Sequence, residues 1–316
     1  MLAQRLGLPA AWVLVIVLFG ALEPDTFLTT ANLQSILGSQ AVLVVLTLGL
    51  LFPLTAGDYD LSVASTLTLA AMIVALLNGQ HGWPVLTAIL VALAAATLVG
   101  VVNGAIVVLL ELESLVITLA SGTFVSGLVL WISDSNTIGG ISDRLVDPVI
   151  VWDLLGIPLS FFYGLVLCVA VWLVFEHAPL GRRLLFAGRG REVARLSGVE
   201  VGRIRFGALV TSGAFAGLAG VLYAGTTGSA DPSSGASFLL PAFAAAFLGA
   251  TAIVPGRFNP WGALIAVYFL VTGVTGLQLL GVESFVQQLF YGGALILAVA
   301  LPRLAREITR GEPAGG

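Results

Sequence analysis

The chain has 316 residues, of which 58% are hydrophobic and 9% charged, with a formal net charge of −4 and mean hydropathy +1.06. Soluble domains carry about 25% charged residues, so this composition excludes a soluble globular protein and places the chain in lipid. All 13 basic residues are arginine, which excludes a P-loop lysine and Schiff-base chemistry, so any ATP-driven work must be powered by another chain.

A membrane-spanning helix needs about 20 predominantly apolar residues. Such runs are predicted at Pro9–Leu22, Ile36–Ala56, Leu61–Leu77, Trp83–Leu110, Leu115–Ile132, Leu159–Phe175, Phe206–Thr226, Phe238–Val254, Trp261–Leu280 and Phe285–Leu301. The first is short, but no small-residue cleavage site follows it before Glu23-Pro24, so it is kept as a span. Between the second and third runs, Gly57-Asp58-Tyr59-Asp60-Leu61-Ser62 makes a polar break. One reading is a tight turn in which Asp60 is the N-cap of the next helix. The other is a re-entrant element that sets Asp58, Asp60 and Ser62 in a translocation cavity, where irregular backbone is tolerated.

Asn103 in the fourth run, with Gln278, Gln287 and Gln288, would line an aqueous path or bond neighbouring helices; spacing does not separate the two. Gly100-x-x-x-Gly104 and Gly213-x-x-x-Gly217, the latter continuing to Gly220 and Ala224, let helix backbones approach closely. Cys168 lies in an apolar run, can form no intrachain disulfide and offers no thiol-based metal site. It reads as a small buried apolar side chain. His81 and His177 read as solvated interface residues. No metal-ligand cluster or nucleophile arrangement is present, so the expectation is no catalytic residue, no metal and no enzyme. Charged residues inside spans are costly and usually functional. Their near absence here argues against an ion-coupled carrier.

Ten spans put both termini on one side. With that side cytoplasmic, Arg5, the cluster within Gly181–Arg205, Arg257, Arg303, Arg306 and Arg310 lie inside and only Arg144 lies outside, as the positive-inside rule requires. Ser133–Pro158 is then external, with Asp134, Asp143, Asp147 and Asp153 in it. The six tryptophans, Trp12, Trp83, Trp131, Trp152, Trp172 and Trp261, fall near predicted span ends.

Gly181–Arg205 is a hydrophilic loop holding Arg182, Arg183, Arg189, Arg191, Arg195, Arg203 and Arg205. Within it, Arg191–Leu196 is predicted to be a short helix, preceded by Gly188 and Gly190 and ended by Ser197-Gly198. Such a loop either anchors orientation on anionic headgroups or presents a helix to a groove on a partner.

Gly181-Arg182, Gly188 and Glu192-x-Ala194-Arg195-Leu196-Ser197-Gly198-Val199 resemble the coupling loop of permease subunits of bacterial ABC importers of the ribose/xylose/galactose type. Gly57–Val63 is similar to that family's G-G-I-D-L-S-V-G signature, with Tyr59 for Ile and Ala64 for the last Gly. Asn103-Gly104, Ile117–Ala120, Ser212-Gly213, Ala219–Leu222, Gly228–Pro232 and Leu248-Gly249 follow in the family's order. The resemblance implies an all-α polytopic membrane protein of about ten transmembrane helices with both termini cytoplasmic. It implies one permease domain over residues 1–316, with a coupling loop at about 181–205 and a cytoplasmic tail at about 302–316.

It further implies a bacterial inner-membrane subunit that translocates a monosaccharide. Gly181, Arg182, Gly188, Glu192, Ala194, Arg195, Ser197 and Gly198 would meet a cytosolic ABC ATPase, which alone uses ATP and Mg; this chain binds no cofactor. Asp58, Asp60, Ser62 and Asn103 would shape the path. Ser133–Pro158 and Thr226–Ser237 would receive an extracytoplasmic sugar-binding protein. A second permease copy, as homodimer or heterodimer, and membrane lipid complete the partners, with no nucleic acid. The rival readings are an ABC permease for branched-chain amino acids or nucleosides, and an ion-coupled secondary transporter.

Overall fold

A computed structural model describes residues 2–283 and 285–310. The chain runs through α1 (Leu2–Leu22), α2 (Pro24–Phe27), α3 (Thr30–Ser39), α4 (Ala41–Ala56) and α5 (Val63–Val74), which a π-helical turn extends over Ala75–Gln80. Next come α6 (Val85–Leu109), α7 (Ser114–Ile132) and α8 (Asp143–Val146) with a π-helical turn at Asp147–Val151. A hairpin pairs the two-residue strands β1 (Asp153–Leu154) and β2 (Ile157–Pro158). Then follow α9 (Leu159–Trp172) with a π-helical turn at Leu173–His177, α10 (Pro179–Arg189), α11 (Arg191–Leu196), α12 (Val201–Thr227), α13 (Ala236–Gly249), α14 (Pro260–Leu279) and α15 (Phe285–Arg310). Residues 311–316 of the expected cytoplasmic tail lie outside the described residues.

Among the described residues, 8 helical stretches are long and apolar enough to cross a membrane, and Ala236–Gly249 and Phe285–Ala300 are shorter apolar helices. The fold is therefore all-α and polytopic, and each of the ten predicted runs is mainly helical. The eighth falls short of its predicted end: it stops at Gly249, not Val254. Its 14 residues reach about 21 Å at 1.5 Å each, less than the ~30 Å hydrocarbon core. A turn organised by Asn259 follows it. Asn259 Nδ2 donates to the carbonyls of Gly249 (3.2 Å) and Ala252 (3.1 Å), while its Oδ1 accepts from Gly262 N at 2.7 Å and caps α14.

The chain forms two compact units, Leu37–Leu239 and the residues on either side of it. In the unit of Leu37–Leu239, α12 packs on α4, α5 and α6. All 16 residues of α4 are buried, which accounts for a helix apolar on every face. The two glycine motifs are each other's partners. A Cβ on Gly213 would stand 2.7 Å from the Ala96 carbonyl oxygen and 3.0 Å from Gly100 Cα, and one on Gly100 would stand 2.6 Å from the Leu209 oxygen. Gly217 meets Ala96 and Gly104 meets Phe206, so α6 and α12 run antiparallel in backbone contact. Gly220 continues the stripe onto Leu67 and Ala70 of α5.

In the other unit α1 packs on α14. The sequence sets Trp12 at an interface, but α1 starts at Leu2, so Trp12 lies in the helix interior. Its indole donates to Thr272 Oγ1 at 2.9 Å and stacks on Tyr268, with centroids 6.2 Å apart. Packing has replaced the belt position.

Candidate functional site

Residues 181–205, expected as a loop, are mostly helical. Pro179 starts α10, where its missing N–H costs nothing. Gly181, Leu184 and Ala187 are buried on one face, while Arg182, Arg183 and Arg189 are exposed on the other. Gly181 and Gly188 leave no room for a side chain because the Phe175 backbone and the Thr55 carbonyl oxygen occupy it. These two expected docking residues thus hold α10 against its own bundle.

The short helix α11 spans Arg191–Leu196 as the sequence predicts. Gly198 ends it at φ +82°, with Val199 N donating to the Ala194 carbonyl at 3.0 Å. Ala194 faces inward, and Glu192, Val193, Arg195, Leu196, Ser197 and Gly198 are exposed. Arg203 and Arg205 belong to the first turns of α12.

Asp58 is where the polar break and the arginine cluster meet. Its side chain is 0% exposed. Arg205 grips it with both arms, Nε to Oδ2 at 2.7 Å and Nη2 to Oδ1 at 2.8 Å, the planar two-point geometry that suits arginine and carboxylate. Arg191 adds one nitrogen, Nη2, to Oδ1 at 3.0 Å and to the Gly57 carbonyl at 2.8 Å. The side chain of Arg205 is 11% exposed and that of Arg191 45%. The first is a buried anchor, the second a half-solvated arm reaching out of α11.

Beyond Asp58 the break climbs along α7 and does not turn back. Tyr59 N donates to Ser114 Oγ and Leu61 N to Thr118 Oγ1, each at 3.0 Å, and Ser62 lies opposite Gly122. Ser114 to Gly122 is about 12 Å of helix. Asp60 is not the N-cap of α5; Ser62 stands at that position. Asp60 Oδ1 instead accepts from Ser62 N at 3.0 Å and Ser62 Oγ at 2.6 Å, and Asn103 Nδ2 donates to Ser62 Oγ at 2.9 Å. The structure therefore joins Asp60, Ser62 and Asn103 in one buried network and turns Asp58 away from it. Of the three glutamines, Gln278 and Gln288 are exposed and Gln287 is half-buried.

The Asp60 network lacks what Asp58 has. Its residues are buried and hold no arginine; the polar group facing the rest of the Asp60 carboxyl is the buried Ser212 hydroxyl, and Asn103 Oδ1 has no hydrogen-bond partner. A carboxylate buried without a counter-charge costs free energy that a neutral amide of the same shape does not. Asp60→Asn keeps the Oδ1 acceptor for Ser62 and removes the charge. It should raise the unfolding temperature in detergent at pH 7 by about 2–4 °C. A variant less stable than the parent at pH 7 would contradict this account.

At the opposite end of the same unit, the two segments expected to be external are tied together. Ile138 and Ala230 form an antiparallel bridge, with N–O distances of 2.9 and 2.8 Å. Thr137 Oγ1 donates to Asp231 Oδ2 at 2.6 Å, and Ser142 N donates to Asn78 Oδ1 at 2.9 Å.

Residues 32–299 match the family described as branched-chain amino acid transport system / permease component. The D-allose transport system permease protein of Escherichia coli (strain K12) is 31% identical over 291 residues, 92% of this chain and 89% of its own. The ribose import permease protein of Bacillus subtilis (strain 168) is 32% identical over 301 residues, 95% of this chain and 93% of its own. The L-arabinose ABC transporter permease protein of Azospirillum brasilense is 28% identical over 310 residues, 98% of this chain and 90% of its own. No solved structure matches the chain.

Proposed function

This chain belongs to the branched-chain amino acid transport system / permease component family, and from that membership we propose that it is the transmembrane subunit of an ABC importer that carries a monosaccharide across the inner membrane. The relatives described above carry names of sugar transport, for D-allose, ribose and L-arabinose, which favours a sugar over a branched-chain amino acid or a nucleoside. The arginine-bearing end is cytoplasmic in this reading, following the charge asymmetry of the connections. A separate cytosolic ATPase supplies the energy with its own ATP and Mg; this chain has no P-loop lysine with which to do so. An extracytoplasmic binding protein delivers the sugar to the bridged segments at the other end, and a second permease copy completes the pathway.

The observation that carries the proposal is α11. A six-residue helix with exposed Glu192, Val193, Arg195 and Leu196 is bound through Arg191 to a fully buried carboxylate. A helix placed so can fill a groove on a partner, and its displacement is felt at Asp58 between α4 and α5.

The test is uptake of radiolabelled D-allose, D-ribose and L-arabinose, with L-leucine and uridine as comparison, in cells expressing this chain with the ATPase and binding protein encoded beside it. Import of a sugar is expected, lost when the ATPase is inactivated. The double variant Glu192→Lys with Gly198→Pro should lose both uptake and co-purification of the ATPase. Uptake that survives ATPase inactivation and collapses with a protonophore would overturn the proposal.

A further inference from the structure

A second irregular segment lies beside the first. After α12, the chain passes the bridge at Ala230 and then descends into the bundle. Gly235 N donates to Thr68 Oγ1 at 2.9 Å, and the Ala64 carbonyl oxygen fills the place a Gly235 side chain would take. Only then does α13 begin, at Ala236. Ser65, one residue beyond Ala64, bonds Ser126 of α7 through their hydroxyls at 2.9 Å. Ser126 stands twelve residues along α7 from Ser114, about 18 Å at helical rise. The meeting of the two segments is therefore within the membrane-spanning part of the unit. Non-helical backbone at that depth is tolerated where protein buries it or where it lines a watery cavity.

A cavity is present there, of about 450 Å³, within the size range of small-molecule sites. Its polar lining is Ser65, Thr68, Ser126, Ser135, Asp231 and Ser233, and Leu130 and Pro232 supply an apolar side. Asp231, at the outer rim beyond α12, is positioned by its neighbours: Oδ1 accepts from Ser233 Oγ and from Ser233 N at 2.8 Å, and Oδ2 accepts from Thr137 Oγ1. Those bonds hold its carboxyl below the usual carboxylate range, so it stays ionised. The set contains five hydroxyls, one anionic acceptor and no cation. Hydroxyls both donate and accept, which matches a neutral polyhydroxylated molecule with donors and acceptors on every carbon and an apolar C–H face. It offers no cation to a substrate carboxylate and has a negative charge where an anion would have to sit.

Resting on the reading of the chain as a sugar permease, we propose that this cavity is the site at which the permease itself holds the sugar in transit, with Ser65, Ser126 and Asp231 as its main hydrogen-bonding groups. The sugar enters past the Ile138–Ala230 bridge and leaves toward the Gly57–Ser62 break. These residues determine which sugar passes.

The assembled complex, with its ATPase and binding protein, is reconstituted with Ser126→Cys and treated from outside with a membrane-impermeant thiosulfonate. Cys168 is fully buried and remains silent. Modification of the Ser126→Cys thiol is expected to stop uptake and to be slowed by whichever of D-allose, D-ribose and L-arabinose the parent imports, and not by L-leucine. In parallel, Asp231→Asn and Ser65→Ala with Ser126→Ala should lower uptake about tenfold and change the preference among the three sugars, with ATPase co-purification retained. A thiol modified at the same rate with and without the imported sugar, or variants that keep the parental rate and preference, would overturn the proposal. A parent that imports none of these sugars would instead overturn the broader sugar-permease reading.

Discussion

Asp58→Ala is expected to cost the folded chain about 3–5 kcal/mol, the penalty for removing one partner from a buried ion pair, and to abolish ATP-dependent uptake. The magnitude follows from what remains. Arg205, 11% exposed, loses both of its charge-assisted bonds and cannot reach water without moving the first turns of α12. Arg191→Ala should behave differently. That side chain is 45% exposed and gives a single nitrogen to the carboxylate, so its loss should cost less than about 1 kcal/mol. Its uptake per ATP hydrolysed should nevertheless fall, because Arg191 is the side chain that ties α11 to the Gly57–Asp58 break. Thermal unfolding in detergent and transport in proteoliposomes separate the two effects. Equal destabilisation by the two variants would show that Asp58 is not anchored by Arg205. Full coupling in Arg191→Ala would show that α11 does not act through it.

Gly213→Leu should prevent the chain from accumulating as a folded, monodisperse protein, whereas Gly207→Leu on the same helix should accumulate as the parent does. A Cβ at 213 meets the Ala96 carbonyl oxygen at 2.7 Å and the Gly100 backbone at 3.0 Å. Both neighbours are helix backbone, so no rotamer change relieves the clash and α6 must separate from α12. Overpacking typically costs about 1–3 kcal/mol and sometimes more, and here it acts where two helices touch backbone to backbone. At Gly207 nothing lies within 4 Å of an added Cβ. Fluorescence-detected gel filtration of the two variants makes the comparison. A folded Gly213→Leu protein would mean that the two helices are not held at glycine contact.

The spans are legible in the sequence because twenty apolar residues in a row admit few structures in lipid. Helix α11 is legible because Gly190 and Gly198 bracket it. The glycine motifs are legible as packing surfaces, yet nothing in their spacing says that each is the other's partner. The arginine segment reads as a loop because its charges suggest solvent, while the period of Gly181, Leu184 and Ala187 carries the helix. Asp58 and Asp60 look alike in the sequence, two acids in one polar break. Their separation into an ion-paired group and an unpaired one depends on arginines 133 and 147 residues away from Asp58. No local pattern encodes that distance. A carboxylate between two long apolar runs needs a counter-charge, and this is the available hint. The Gly235 descent is hidden for a related reason: the sequence sets Thr226–Ser237 outside the membrane, and the contact of Gly235 with Thr68 and Ala64 joins residues far apart in the chain.

The two ends of the unit are fastened by different forces. At one end Arg191, nearly half in solvent, holds Asp58 by charge. At the other, Ile138 and Ala230 hold each other through neutral backbone groups. Mobile ions screen exposed charges over a Debye length of about 8 Å at physiological ionic strength and have little purchase on a peptide hydrogen bond. A rise in salt therefore slackens the fastening of α11 more than it does the Ile138–Ala230 peptide bridge.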